Sequence, residues 1–172
     1  MGNSARGAAV NSESNLTDYE KSILENVDEW GCHITTVVDP DGSDPPFSYS
    51  AGLEETFGSG EVIIIGFSTT LMGQIINMLA DKLEAGLALT DGVSLGGLLS
   101  GFDMIAKEIP AERIVRENFN SSMWLHERVT GGALTKAFQL VWPDSRTGLF
   151  SWDASCPEDG IKLQPLIFEQ VS

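Results

Sequence analysis

Apolar residues recur at helical spacing from Tyr19 through Ile23 and Val27 to Trp30, and Gly31 follows at once. Thr17 and Glu20 stand three apart just ahead of that stripe. This is the spacing of a capping box, in which each side chain satisfies an orphan amide of the first turn. The pattern predicts a helix over 18–30 that stops at the glycine. The period then changes. His33 to Val38 is rich in Ile, Thr and Val, the composition of a strand. Asp39-Pro-Asp-Gly-Ser-Asp-Pro-Pro can only be a turn or loop. Phe47 to Leu53 resumes as a strand, with Phe47, Tyr49 and Ala51 on one face. The connection is too short for a parallel crossover, so the two strands pair as a hairpin. Residues 54–60 read as a glycine-containing loop, and the unbroken apolar run Val62 to Phe67 as a buried strand.

Ser68 or Thr69 caps a second long helix, whose stripe is Leu71, Met72, Ile75, Ile76, Leu79 and Leu83 and whose end is Gly86. A glycine-rich stretch over 92–101 leads to a strand over Phe102 to Ile109. Pro110 suits the first turn of a short helix carrying Ile114 and Val115. Ser121 or Ser122 caps another short helix through Val129, and Ala137 to Val141 is a strand. Leu149 to Trp152 and Leu163 to Phe168 read as short extended pieces. The expected fold is α+β, with a mostly antiparallel, barrel-like or twisted sheet of five to six strands, two long helices and one or two short ones. Residues 1–15 read as a disordered tail and 16–172 as a single α+β domain, with no internal repeat.

Composition narrows the function classes. At 172 residues with 42% hydrophobic and 20% charged positions, the chain can bury a core without disulfides or a metal. Net charge is −15, from 25 acids against 10 bases. That argues against nucleic acid, because phosphate contacts need clustered Lys and Arg. The basic residues Arg113, Arg116, Arg128 and Lys136 are diluted by Glu112, Glu117 and Glu127. The acidity suits a basic protein partner. The longest aliphatic run, Val62 to Ile65, is too short to span a bilayer, so no membrane role is expected. Residues 2–15 lack the apolar core of a signal peptide. With Cys32 and Cys156 as two free thiols, the expected location is the reducing cytoplasm. The stripe over 71–83 offers either a core face or a homodimer contact.

Candidate chemistry is sparse. There is no phosphate-binding glycine loop ending in Lys-Ser/Thr, no Cys-x-x-Cys and no His-Glu-x-x-His. Two histidines and two distant cysteines do not make a metal set, so no metal is expected. Cys32 and His33, as neighbours on a strand, point to opposite faces and make a poor dyad. Glu54, Glu55 and Glu61 sit where one strand ends and the next begins. Trp142 and Trp152 flank a Pro-Asp…Gly turn, a place where aromatic rings can wall a pocket. The candidate ligand-binding set is therefore Tyr49, Glu54, Glu61, Gln139, Trp142, Asp144 and Trp152. Tyr and Glu would serve as proton donor and acceptor, and the tryptophans would stack on a small-molecule ligand. This reading requires one concave pocket where segments 47–61 and 139–152 converge. The alternative is an acidic protein-interaction module, inhibitor-like or immunity-like, with no catalysis.

Phe47-Ser-Tyr-Ser-Ala-Gly-Leu, Thr56-Phe-Gly and Glu61-Val-Ile-Ile-Ile-Gly together resemble the Tyr-Thr-x-Gly-Leu…Gly-His-Pro-Glu-Leu…Gly pattern of the bacterial domain of unknown function 4262. Gln139-Leu-Val-Trp-Pro-Asp, Gly148, Phe150, Trp152 and Gln164-Pro165 resemble its second signature. The match runs in order over about 20–168. It implies domain identity, and no activity comes with it. Ser59-Gly60 replaces the usual His-Pro, Ser151 replaces a usual Pro, and Cys32 sits where an aromatic is common. The order hairpin, loop, aliphatic strand, helix is also similar to the opening of the flavin-reductase split barrels. That analogy implies a flavin cofactor, for whose phosphate this region offers Ser48, Ser50 and Ser59 but no base.

Overall fold

The computed structural model describes residues 15–169. The expected tail over residues 1–15 falls, but for Asn15, outside the described residues. Helix α1 (Asp18–Trp30) begins as the pattern requires: the Thr17 side chain accepts from the Glu20 amide and the Glu20 side chain accepts from the Thr17 amide. It ends at Gly31 in the left-handed conformation, φ 87°. Strands β1 (His33–Val37) and β2 (Phe47–Ala51) form the expected antiparallel hairpin, with Thr35 opposite Tyr49. The Asp39 carboxylate organises the loop between them by accepting from the amides of Asp41, Ser43 and Asp44.

The segment over 54–60 is not all loop. Leu53–Phe57 is a one-turn helix, α2, followed by β3 (Glu61–Ile65) and the long helix α3 (Thr69–Glu84), which Ser68 caps through the Leu71 amide. The glycine-rich stretch contains an edge strand, β4 (Ser94–Leu99), that pairs antiparallel with β5 (Phe102–Glu108). Low β-propensity at Gly96 and Gly97 hid it. Helix α4 (Arg116–Thr130) starts earlier than Ser121 and breaks its regularity at Phe119, φ −141° and ψ 33°. The chain ends on β6 (Ala137–Val141) and the short helix α5 (Glu158–Leu163), which takes the beginning of the segment expected to be extended. Among the described residues there are thus three long helices rather than two.

The sheet order is β1-β2-β3-β6-β5-β4. Four of its five pairings are antiparallel and the central β3–β6 pair is parallel. The sheet is open and twisted, not a barrel. The physical reason is that helices cover both faces. Phe47, Tyr49, Ala51, Ile63, Ile65 and Ala137 face α1 and α4, while Val62, Ile64, Phe138, Leu140 and Trp142 face α3. A sheet buried on both faces needs unbroken apolar strands at its centre, and β3 and β6 are buried at every position. The α3 stripe Met72, Ile75, Ile76, Leu79 and Leu83 is in this core, which leaves little of it for a second copy of the chain. None of the helices is long and apolar enough to cross a membrane among the described residues.

Gly66, just after β3, holds φ 100°, and a methyl group there would overlap the Leu163 carbonyl oxygen and crowd the Trp142 ring. Gly148 also has a positive φ, 72°, but a methyl would meet nothing. Urea denaturation should therefore separate them. Gly66→Ala should cost about 3 kcal/mol, and Gly148→Ala about 1 kcal/mol from backbone conformation alone. Equal losses would contradict the packing described.

Candidate functional site

The seven residues expected to share one pocket are divided by the sheet. Tyr49 and Gln139 lie on the α1/α4 side, and Trp142 lies on the α3 side. Tyr49 is buried; its hydroxyl donates to Ser121 Oγ at 3.1 Å and accepts from the Ser121 amide at 3.0 Å. Tyr19 and Thr35 complete this hydroxyl cluster.

Glu61 is fully buried at the start of β3. Its carboxyl accepts from the Ser50 hydroxyl at 2.8 Å and from the amides of Gly52, Leu53 and Glu54 at 3.0, 3.0 and 3.3 Å. Those three amides open α2, whose N-terminus has no side-chain cap of its own. Glu61 supplies that cap from across the loop. Glu54 accepts from the Gly60 amide, closing the same loop. Ser59, where the resemblance expects a histidine, is buried and donates to the Gly60 carbonyl at 2.9 Å. Glu55 pairs with His126 Nδ1 at 2.8 Å and so ties α2 to α4.

The second signature is consumed in the same way. Gln139 donates to the Pro165 carbonyl at 2.8 Å and accepts from the Ile167 amide at 2.9 Å. Gln164, just past α5, continues the pattern: its side chain accepts from the Trp142 amide and donates to the Trp142 carbonyl, both at 2.8 Å. Trp142 Nε1 donates to the Ile65 carbonyl at 2.7 Å. Asp144 accepts from the amides of Arg146 and Thr147, and contact with Arg146 holds its carboxyl below the usual range. Trp152 stacks on Phe150 at 4.8 Å and stays partly exposed. These contacts pin residues 164–167 over the sheet, and the cavity of about 330 Å³ beside this segment is lined by Pro143, Gly148 and Phe150 and by none of the seven expected residues. Among the described residues, no three of His, Cys, Asp and Glu come together to hold a metal.

A different surface has the features of a binding site. A cavity of about 580 Å³ lies at the start of β1, between the end of α1 and the middle of α3. Asn26 and Trp30 line it from α1, Cys32, His33 and Ile34 from the strand, and Asn77 and Asp81 from α3. Cys32 and His33 do point to opposite faces: Cys32 joins the α3 core, whereas His33 meets Asn26 at 2.9 Å and the Tyr19 ring edge. Burial, with Glu61 adding, pushes the Cys32 thiol up to about 11, and burial lowers His33. Both are therefore neutral at pH 7. Trp30 is 69% exposed, and Val37 and Val38 are exposed at the far end of the strand. The helical stripe Tyr19, Ile23, Val27, Trp30 thus overstates burial, since only Ile23 is fully enclosed. Between Lys21 and Lys82 the chain holds ten acids and no lysine or arginine. That base-free run is the one signal in the sequence that bears on this surface, together with a tryptophan on the last position of a helix.

The backbone of β1 has a free side. Pro46 accepts from the Gly66 amide, so the even residues of β2 bond β3 and its odd residues bond β1. His33, Thr35 and Val37 then exchange bonds with β2, and Ile34 and Thr36 turn their N–H and C=O groups away from the sheet.

Burial is the main influence on Glu61 and pushes its carboxyl from 4.5 up to about 8; the nearby Glu55 adds, while Ser50 and the Gly52 and Glu54 amides pull it back. A pKa raised on folding means that the folded chain holds the proton more tightly. The contribution of Glu61 to stability is then full below the ordinary Glu value and is lost as pH rises toward about 8. The unfolding free energy of the wild type, measured against Glu61→Gln as a reference that does not titrate, should fall between about pH 5 and pH 8. A difference that grows over that window would mean that the four donors outweigh burial.

No curated protein and no solved structure matches the chain. A family model does match, over residues 26–157. That span starts within α1, takes in all six strands, the first signature and the second as far as Trp152, and stops at the threshold of α5, short of Gln164-Pro165. The chain belongs to the DUF4262 family, a domain of unknown function.

Proposed function

We propose that this domain is a protein-binding module without chemistry of its own, and that the β1 edge with its groove is the binding surface. The observation that carries the reading is the contrast between the two sheet edges. An open edge strand is a template for another chain, and proteins blunt such edges with proline, lysine or a bulge, which glycine often marks. At the β4 edge, Gly96, Gly97 and a register shift between Leu95 and Leu99 do this. At the β1 edge none of these is found among the described residues: His33-Ile34-Thr35-Thr36-Val37 pairs in continuous register with β2 and contains no glycine, proline, lysine or bulge. The largest exposed fraction of any tryptophan side chain stands beside it, at Trp30. Aromatic residues next to a strand edge are common anchors in strand-addition complexes.

A small-molecule pocket at segments 47–61 and 139–152 has less support, because Tyr49 and Trp142 have the sheet between them and the polar atoms of Tyr49, Glu61, Gln139 and Trp142 bond within the chain. The split-barrel analogy and its flavin lose their footing with the open sheet.

Affinity capture from the cells that make the protein tests the proposal when it is run with site variants. The wild type and Ile161→Ala, an exposed change on α5, should retain the same discrete partner. Thr36→Pro removes an outward amide that an edge strand can spare, together with the 2.7 Å hydroxyl bond to the buried Ser48. Thr36→Val, which loses that bond alone, is therefore the reference for stability, and only Thr36→Pro should lose the partner. Trp30→Ala should weaken capture independently. Undiminished capture by both β1-side variants would overturn the proposal.

A further inference from the structure

We infer that the occupant of the β1 edge is an extended segment with Lys or Arg at two adjacent positions, one set over Trp30 and the next against Asp81; this rests on the binding-module reading above. The first ground is charge. The cavity belongs wholly to the stretch without lysine or arginine. The nearest base in sequence, Lys82, does not serve it: its Nζ reaches toward Gly97 on β4, the opposite edge of the sheet. Asp81 is exposed and takes part in no ion pair among the described residues. A basic segment would complement this face.

The second ground is the geometry of strand addition. Ile34 and Thr36 present their outward N–H and C=O groups to a new strand, whose side chains alternate between the two faces of the sheet. On the α1 face such a strand meets Asn26 and Trp30, and on the α3 face it meets Asn77 and Asp81. Neighbouring residues of the incoming segment therefore sample different chemistry. A guanidinium or ammonium lies over the open indole face on one side. On the other side a second cation meets the Asp81 carboxylate in a charge-assisted hydrogen bond. The neutral Cys32 thiol and Ile34 favour apolar or small residues next to the pair.

The same charge argues against a second copy of this chain. Pairing β1 with β1 would bring together two faces that each carry Asp81 and no base in their lining, and like charges across an interface suppress association.

Isothermal titration of the full chain with three ten-residue peptides tests the inference. One alternates Thr and Val around a central Arg-Lys pair. The second replaces that pair with Glu-Glu. The third repeats the basic peptide with every second backbone nitrogen methylated on the side facing β1. The basic peptide should bind, and the other two should bind at least tenfold more weakly. Asp81→Asn and Trp30→Ala should each weaken the basic peptide several-fold, and Ile161→Ala should leave it unchanged. Equal binding of the acidic peptide overturns the charge argument, and equal binding of the methylated peptide overturns strand addition. If no peptide binds while capture of the cellular partner remains sensitive to Thr36→Pro, the basic-strand inference falls alone. If neither is seen, the binding-module reading falls with it.

Discussion

The buried carboxyl of Glu61 is the constraint on which the centre of this fold depends. A carboxyl group with no access to water costs several kcal/mol unless hydrogen bonds replace its hydration. Glu61 meets that demand with the Ser50 hydroxyl and three successive amides, all from the turn between β2 and α2. The same bonds satisfy the orphan N–H groups of a helix too short to hold itself. One side chain thereby fixes where β2 stops, where α2 starts and where β3 begins. Gln139 and Gln164 perform the corresponding work one strand away, using side-chain amides to hold the chain end against β6. The parallel pair β3–β6 lies between these two fastenings.

This arrangement changes the meaning of the residues that look most chemical in the sequence. Glu, Gln, Tyr and Trp in two glycine-bearing segments resemble a binding site, because polar groups at strand ends so often serve ligands. Here Glu61, Gln139 and Trp142 are joined to the backbone of their own chain, and Tyr49 to Ser121 of α4. The surface that stays open is less conspicuous in sequence: a threonine- and valine-rich strand, the last residue of a helix and the middle of another. Its unprotected edge and its lack of positive charge are the physical grounds for a binding role.

Periodicity made most of the fold legible. The capping box at Thr17, the hairpin of β1 and β2, the α3 stripe and the limits of β6 follow from the residues alone. What escaped has identifiable causes. Helix α2 is a single turn whose first amide, Leu53, is capped by Glu61 eight residues later, so no local pattern marks it. Strand β4 carries two glycines and survives through its pairing with β5. Helix α4 carries one helical turn ahead of its expected serine cap, set off from the rest by the non-helical Phe119, whose ring packs on Tyr49. The candidate site dispersed because alternation along β2, β3 and β6 puts Tyr49 and Trp142 on opposite sides of the sheet, and alternation fixes a side only once the strand order is known.

Amide hydrogen exchange of the full chain, alone and with its captured partner, bears most directly on the central claim that the signature segments build the molecule and the β1 edge serves it. New protection on binding is expected at Ile34 and Thr36, with residues 139–152 exchanging at the same rate in both states. Protection that appears over 144–152 and leaves β1 unchanged would contradict it.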